Sequence, residues 1–157
     1  SMISASRVFD LDIHELWELI SEPGALEKYH PFCIKNDVLV WSENERKDTI
    51  CYANGKVFTR KFTDWVNCHS FKLNISNGRH DASVEWNFEK INDKSKLTII
   101  IFPKFMPKNR VLRLIGSIIV KYNLRLYLNK IMRGIEYYIK FNKKVTINQF
   151  GSHRWFS

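Results

Sequence analysis

The chain has 157 residues, of which 45% are hydrophobic and 14% aromatic, with only 6 Gly and 4 Pro. That length suits one domain, and that composition a packed core, which excludes a disordered chain and a disulfide-dependent scaffold. The formal charge of +9, from 25 basic and 16 acidic residues, favours anionic partners in general: nucleic acid, anionic lipid heads or acidic proteins.

The basic residues are dispersed, however. Lys108, Arg110, Arg113, Lys121, Arg125, Lys130, Arg133, Lys140, Lys143 and Lys144 spread over several faces of the C-terminal region, as on a solvated helix exterior. Elsewhere bases alternate with acids, and no signature of a nucleic-acid-binding module occurs, so nucleic acid is not an expected partner. Ser1 ahead of Met2 reads as the remainder of a cleaved tag, leaving residues 2–157 as one domain.

Residues 2–10 form a first strand. Arg7, Asp10, Asp12, Glu15 and Glu18 interrupt every apolar run there, so no signal peptide is expected. Asp12 and Glu15 make a capping-box-like helix start. Ile13, Leu16, Trp17 and Ile20 follow on one apolar face. Glu22-Pro23-Gly24 ends that helix, and residues 25–29 make a second short one before Pro31.

The chain is then strand-like at 38–41, 49–53, 56–66, 70–75, 82–89 and 97–102. Asn54-Gly55 and Asn77-Gly78 are hairpin signals, expected as type I′ turns with positive φ at both central residues. Asn92-Asp93 closes a third turn. Alternation such as Ala82, Val84, Trp86 and Phe88 against Ser83, Glu85 and Asn87 describes a meander with one buried face. Pro103 and Pro107 bracket a loop. From about Asn109 to Phe141 the pattern is helical, with one apolar stripe at Leu124, Leu128, Ile131, Ile135 and Tyr138. An upstream stripe of Leu112, Ile115, Ile119, Tyr122 and Leu126 lies roughly opposite. The helix is therefore either broken near residues 116–123 or covered on two sides in its first half, by a loop, the tail or a second subunit. The longest apolar stretch, Leu114 to Val120, is far short of the ~20 residues of a membrane span. The odd, widely spaced Cys33, Cys51 and Cys68 fit reduced thiols in a cytoplasmic protein.

Such a helix buries its stripe only against the sheet. The expected architecture is α+β, in the order β-α-α-β6-α, with a curved antiparallel seven-stranded sheet around a long C-terminal helix.

In this order the segments "SRVFDLDIHELWELISEPGALEKYHPF" and "LRLYLNKIMRGIEYYI" resemble the opening and the gripping helix of the START and Bet v 1-like superfamily, also called SRPBCC or polyketide-cyclase-like. Its helix-grip fold implies a cavity between sheet and helix for a lipid, sterol or polyketide-like molecule. Some members of the superfamily are enzymes and many only bind, so the resemblance leaves catalysis undecided and transfers no catalytic residue. "HPFCIKN" and "NQFGSHRWFS" look particular to one branch.

The expected cavity wall comprises Phe58, Phe62, Phe71, Leu73, Val84, Trp86, Phe88, Ile99 and Ile101 on strands, with Tyr122 and Leu126 on the helix. A closed cavity of several hundred Å³ suits a lipid-like guest. The alternative is that these rings fill the space themselves, because protein interiors are close-packed. Arg60 and Asp64 alternate onto the same side as Phe58 and Phe62 and are candidates to hold a guest's polar end, or else form a cross-strand surface pair. His30, Cys33 and Asn36 make a polar cluster. Imidazole beside thiol is a nucleophile–base combination, and with His153 a three-ligand zinc site is conceivable; capping or a pocket rim is the plainer role. No metal or other cofactor is expected. Phe150, Trp155 and Phe156 in residues 148–157 are too apolar for a loose tail, and pack on the domain as core, lid or dimer contact.

Three functions stand at this stage. The first is binding of an apolar small molecule. The second is a cyclase or dehydratase, which needs two or more of His30, Cys33, Arg60, Asp64 and His153 to converge on one cavity. The third is a peripheral membrane or interaction module that meets anionic membrane near residues 111–121, with a homodimer through residues 111–121 or the tail as a further contact.

Overall fold

The computed structural model describes residues 2–104 and 109–157; Pro107 and Lys108 lie outside the described residues. The elements are β1 (Ile3–Phe9), α1 (Ile13–Ser21), α2 (Leu26–Tyr29), β2 (Cys33–Trp41), β3 (Arg46–Tyr52), β4 (Val57–Val66), β5 (Ser70–Ser76), β6 (Asp81–Ile91), β7 (Lys94–Pro103) and α3 (Arg110–Phe141). One seven-stranded sheet has the order β1-β7-β6-β5-β4-β3-β2, antiparallel throughout. The chain begins at one edge, crosses by α1 and α2 to the other, and meanders back. This is the expected helix-grip architecture.

Local chemistry sets the helix ends. The Asp12 carboxylate accepts from the His14 amide, and Asn109 accepts from the amides of Val111 and Leu112, filling donors that a first turn leaves open. Asn142 closes α3 in the left-handed conformation at φ 51°, its amide donating to the Tyr138 carbonyl.

The hairpins stand where the Asn-Gly pairs predict them, but the turns are not type I′. Only the glycines take positive φ, 86° at Gly55 and 88° at Gly78. Each asparagine instead uses its side chain: Asn54 accepts from the Lys56 amide, and Asn77 from the amides of Arg79 and His80. Strand β2 begins at Cys33, five residues before the predicted start at Val38. It is an edge strand with a mostly exposed outer half, so its sequence lacks the alternation that marks a half-buried strand.

Helix α3 is continuous through residues 116–123. Leu128, Ile131 and Ile135 are buried, and Leu124 and Tyr138 pack partly against the core. The upstream stripe is exposed, Tyr122 at 65% and Leu126 at 38%. The helix is neither broken there nor covered on both sides by described parts of the chain: Tyr122 and Leu126 lie on the face of α3 turned away from the cavity.

Candidate functional site

Two fillings share the wedge between sheet and α3. At one end the rings of Trp17, Trp65, Phe71, Phe62 and Phe88 interlock, with centroids 4.9–6.0 Å apart. The indole of Trp17, brought in by α1, stands edge-on to the Phe71 and Phe88 rings of β5 and β6. This end is solid.

The other end holds a cavity of about 150 Å³. Phe58, Leu73, Val84, Trp86, Ile99 and Ile101 point into it from β4 to β7, because each sits at an inward position of its strand. Leu124, Tyr127, Leu128 and Ile131 of α3 roof it. His30, Tyr52, Tyr127 and Arg60 meet the wall at the end nearest β3 and α2, and Asp81 borders it at the start of β6. The volume falls below the several hundred Å³ expected, because the protein's own rings occupy the remainder. It matches an engineered apolar cavity of ~150 Å³ that holds benzene.

No family model matches the chain, and no curated protein matches its sequence. Solved structures match its shape. A START superfamily protein from Mycobacterium smegmatis aligns with a TM-score of 0.72 and 13% identity over 88% of this chain and 97% of that one. The di-domain ARO/CYC BexL from the BE-7585A biosynthetic pathway aligns with a TM-score of 0.71 and 15% identity, over 88% of this chain and 47% of that one. DynU16, from the dynemicin biosynthetic locus, gives 0.69 and 10%, over 91% and 48%. This chain has the START-like, polyketide-cyclase-like fold. Identities this low speak for fold alone.

Within this cavity, the most polar wall is built on an ion pair whose acidic half, Asp48, carries no mark in the sequence pattern. Asp48 on β3 faces Arg60 on β4 in register. Its carboxylate, 0% exposed, accepts from Arg60 Nε at 2.8 Å and Nη2 at 2.6 Å, and from Asn36 Nδ2 at 3.0 Å. Burial opposes the Arg60 charge, yet Asp48 outweighs it and holds the guanidinium pKa above its ordinary value. Arg60 is thus a buried cavity residue, not half of a surface pair. Asp64 is exposed: a bulge at Thr63 shifts the register between Phe62 and Asp64, turning Trp65 inward in its place.

Phe62, Phe71 and Phe88 belong to the solid end and do not reach the cavity. Tyr122 and Leu126 face away from it, on the outward side of α3; the helix residues that face inward are Leu124, Tyr127, Leu128 and Ile131. Tyr127 lies three residues after Leu124, beside the downstream stripe, and was legible from it.

His30 and Cys33 do not pair. The imidazole Nδ1 accepts from the Phe32 amide at 3.1 Å, and Nε2 lies 2.9 Å from the Tyr127 hydroxyl. Burial, then the Arg60 charge, pushes the His30 pKa down to about 3. Cys33 sits on an edge strand beside residues 144–147, and burial pushes its thiol up to about 12. His153 is spent on the tail: Nδ1 accepts from the Trp155 amide and Nε2 donates to the Asn123 carbonyl. Among the described residues no group of three or more His, Cys, Asp or Glu is placed to hold a metal. The Cys–His contact that does form is elsewhere, His14 Nδ1 to Cys68 Sγ at 3.2 Å, in the β4–β5 turn where Cys68 takes φ 61°.

The tail packs back on the domain. The Asn148 amide donates to the Pro31 carbonyl, Asn54 Nδ2 to the Trp155 carbonyl, and Lys130 Nζ to the Ser152 carbonyl. These bonds carry the Phe156 ring over Tyr127, with centroids 4.2 Å apart, and Tyr52 at 4.7 Å. Phe156 thereby becomes part of the cavity wall.

Proposed function

We propose that this protein binds an apolar small molecule between the sheet and α3. The observation that carries the reading is a cavity with apolar walls on five strands and on α2 and α3, with His30, Arg60, Tyr52 and Tyr127 gathered at one end. Burial of such a guest at ~25 cal/mol per Å² supplies the affinity, and the polar end sets its orientation. Localisation in the cytoplasm is part of the same proposal; among the described residues no helix is long and apolar enough to cross a membrane.

The enzyme reading has less support. Two of its five candidate residues, His30 and Arg60, line the cavity, the minimum that reading requires. Arg60 is committed to Asp48, and an imidazole held near pKa 3 is too weak a base to work at neutral pH.

Native mass spectrometry of the protein isolated from its host tests the binding reading, together with a toluene titration followed by methyl NMR. A retained apolar compound, or toluene-dependent shifts at Leu73, Val84 and Ile99, is expected. Neither a retained compound nor any such shift would leave the cavity without a role.

A second reading rests on the exposed start of α3. Val111, Leu112, Leu114, Ile115 and Ile118 are all exposed, and between Asp93 and Glu136 the sequence has ten basic residues and no acidic one. Exposed apolar area within a stretch that carries only positive charge suits an anionic lipid surface. Co-sedimentation with phosphatidylserine-containing vesicles, lost in high salt and absent with phosphatidylcholine alone, is the expected result. Self-association without vesicle binding would assign the face to a second copy instead.

A further inference from the structure

We infer that the inner end of the cavity fixes one carbonyl oxygen of its guest through a tyrosine hydroxyl proton that the protein itself leaves without an acceptor. This rests on the binding reading and adds the chemical class of the ligand.

The inference follows from counting protons along His30, Tyr127 and Tyr52. A backbone amide can only donate, so the Phe32 amide at 3.1 Å fixes His30 Nδ1 as an acceptor. The imidazole proton is therefore on Nε2. It points at the Tyr127 hydroxyl oxygen, 2.9 Å away. That oxygen lies 3.0 Å from the Tyr52 hydroxyl. Two hydroxyl protons now compete for one oxygen–oxygen contact. If Tyr52 donates to Tyr127, the Tyr127 proton is left over; if Tyr127 donates, the Tyr52 proton is.

Among the described residues neither hydroxyl has another partner. Both tyrosines are buried, at 2% and 8% exposure, and both line the cavity. A buried donor without an acceptor costs free energy, and the remaining open side is the cavity. Burial also holds the chain in this protonation state: it pushes the Tyr52 hydroxyl up to about 12, the Tyr127 hydroxyl well above its usual range, and His30 down to about 3.

Arg60, the other polar group at this end, gives Nε and Nη2 to Asp48 and carries only further donors. The Asp48 oxygens are taken by Arg60 and Asn36. A hydroxyl proton left over beside these committed groups favours a guest headed by a carbonyl, such as an aromatic ketone, an aldehyde or an ester. The apolar remainder of the wall takes the body of the molecule.

Acetophenone and α-methylstyrene test this, because they share a shape and differ in C=O against C=CH₂. Each is titrated into the full chain, and its affinity is referenced to its transfer from hexadecane. The ketone is expected to gain about tenfold or more over the alkene, as one hydrogen bond provides, and the infrared C=O band of bound ¹³C-labelled acetophenone to lie below its position in alkane. In Tyr52→Phe/Tyr127→Phe the band should move back toward the alkane position, with α-methylstyrene affinity changed less than about twofold, the scale of a site that keeps its apolar walls. Equal referenced affinities with an alkane-like band in the unmutated protein would overturn the inference and leave the cavity reading intact. Absence of binding by both probes would remove both. The unmutated spectrum decides the matter even if the double variant does not fold.

Discussion

Gly134 on α3 rests directly on the main-chain carbonyl of Tyr29, where α2 ends, and a Cβ at that position would collide with the oxygen. This contact seats the helix that roofs the cavity on the segment that carries His30. Gly134→Ala is expected to destabilise the fold by about 1–3 kcal/mol or more, the usual cost of overpacking. The obstacle is backbone and not a movable side chain, so that cost should exceed the ~1 kcal/mol that Ala gains over Gly in a helix. A lower urea midpoint at unchanged m-value would show it.

The Asp48–Arg60 pair lies between two strands with its carboxylate fully buried. Asp48→Asn leaves the guanidinium in the interior without a counter-charge, and should cost about 3–5 kcal/mol. Asp48→Leu/Arg60→Met removes both charges and should lose less than half as much, since isolated burial of one charge is the expensive state. A double-mutant cycle from urea unfolding measures the difference. Equal losses in the single and double variants would mean that the pair's charge is unimportant.

These two contacts also mark where sequence pattern stops being informative. The strand alternation, the capping residues and the 124–138 stripe were legible because a period of 2 or 3.6 is written in the residues themselves. The bulge at Thr63 was not, because one extra residue leaves no mark on composition, yet it exchanged Asp64 for Trp65 on the inner face. Asp48 was invisible for a related reason: a buried carboxylate is recognisable only by its partners, Arg60 and Asn36, and both are 12 residues away. The choice between Tyr122 and Tyr127 as the inward tyrosine depended on the rotation of α3 against the sheet. The buried stripe residues Leu128, Ile131 and Ile135 and the close contact at Gly134 fix that rotation together.

The buried imidazole makes stability depend on pH. His30 titrates near 3 in the folded chain against an ordinary 6.5, so between those values the unfolded chain binds the extra proton. Its contribution is complete above about pH 6.5 and is lost progressively as pH falls toward 3, with a slope of at most ~1.4 kcal/mol per pH unit. His30→Gln retains an acceptor for the Phe32 amide and a donor for Tyr127 but has no titration. It should be less stable at pH 7 and flatten the pH 4–6 slope of urea-derived stability by up to one proton's worth. An unchanged slope would show that His30 is protonated in the folded state.

Cys68 and Cys33 should react in an order set by burial. Cys33 is buried, with its pKa pushed up to about 12, so almost no thiolate is present near neutral pH. Cys68 is only partly buried and lies in the exposed turn beside His14. Iodoacetamide at pH 7.5 should therefore label Cys68 in the native protein and leave Cys33 unmodified until denaturant is added, as read by peptide mass spectrometry. Early labelling of Cys33 would mean that β2 opens readily from the sheet edge.

Phe156 limits what the cavity can accept. Its ring covers Tyr127 and Tyr52, and the tail that carries it is held by a few hydrogen bonds, among them Asn54 to the Trp155 carbonyl and His153 to the Asn123 carbonyl. Phe156→Ala removes a wall and no strand, so the sheet and α3 should keep their places while the space beside the two tyrosines grows. The expected cost lies below the ~3–5 kcal/mol of a fully buried Phe→Ala, because the ring is only partly buried. The variant should bind N-phenyl-1-naphthylamine, a two-part aromatic too large for a 150 Å³ cavity, at least about tenfold more tightly than the parent, equivalent to ~1.4 kcal/mol. Fluorescence titration measures this directly. Equal affinity in the two proteins would mean that the tail already swings aside for a large guest, and that the ring covers the site without restricting it.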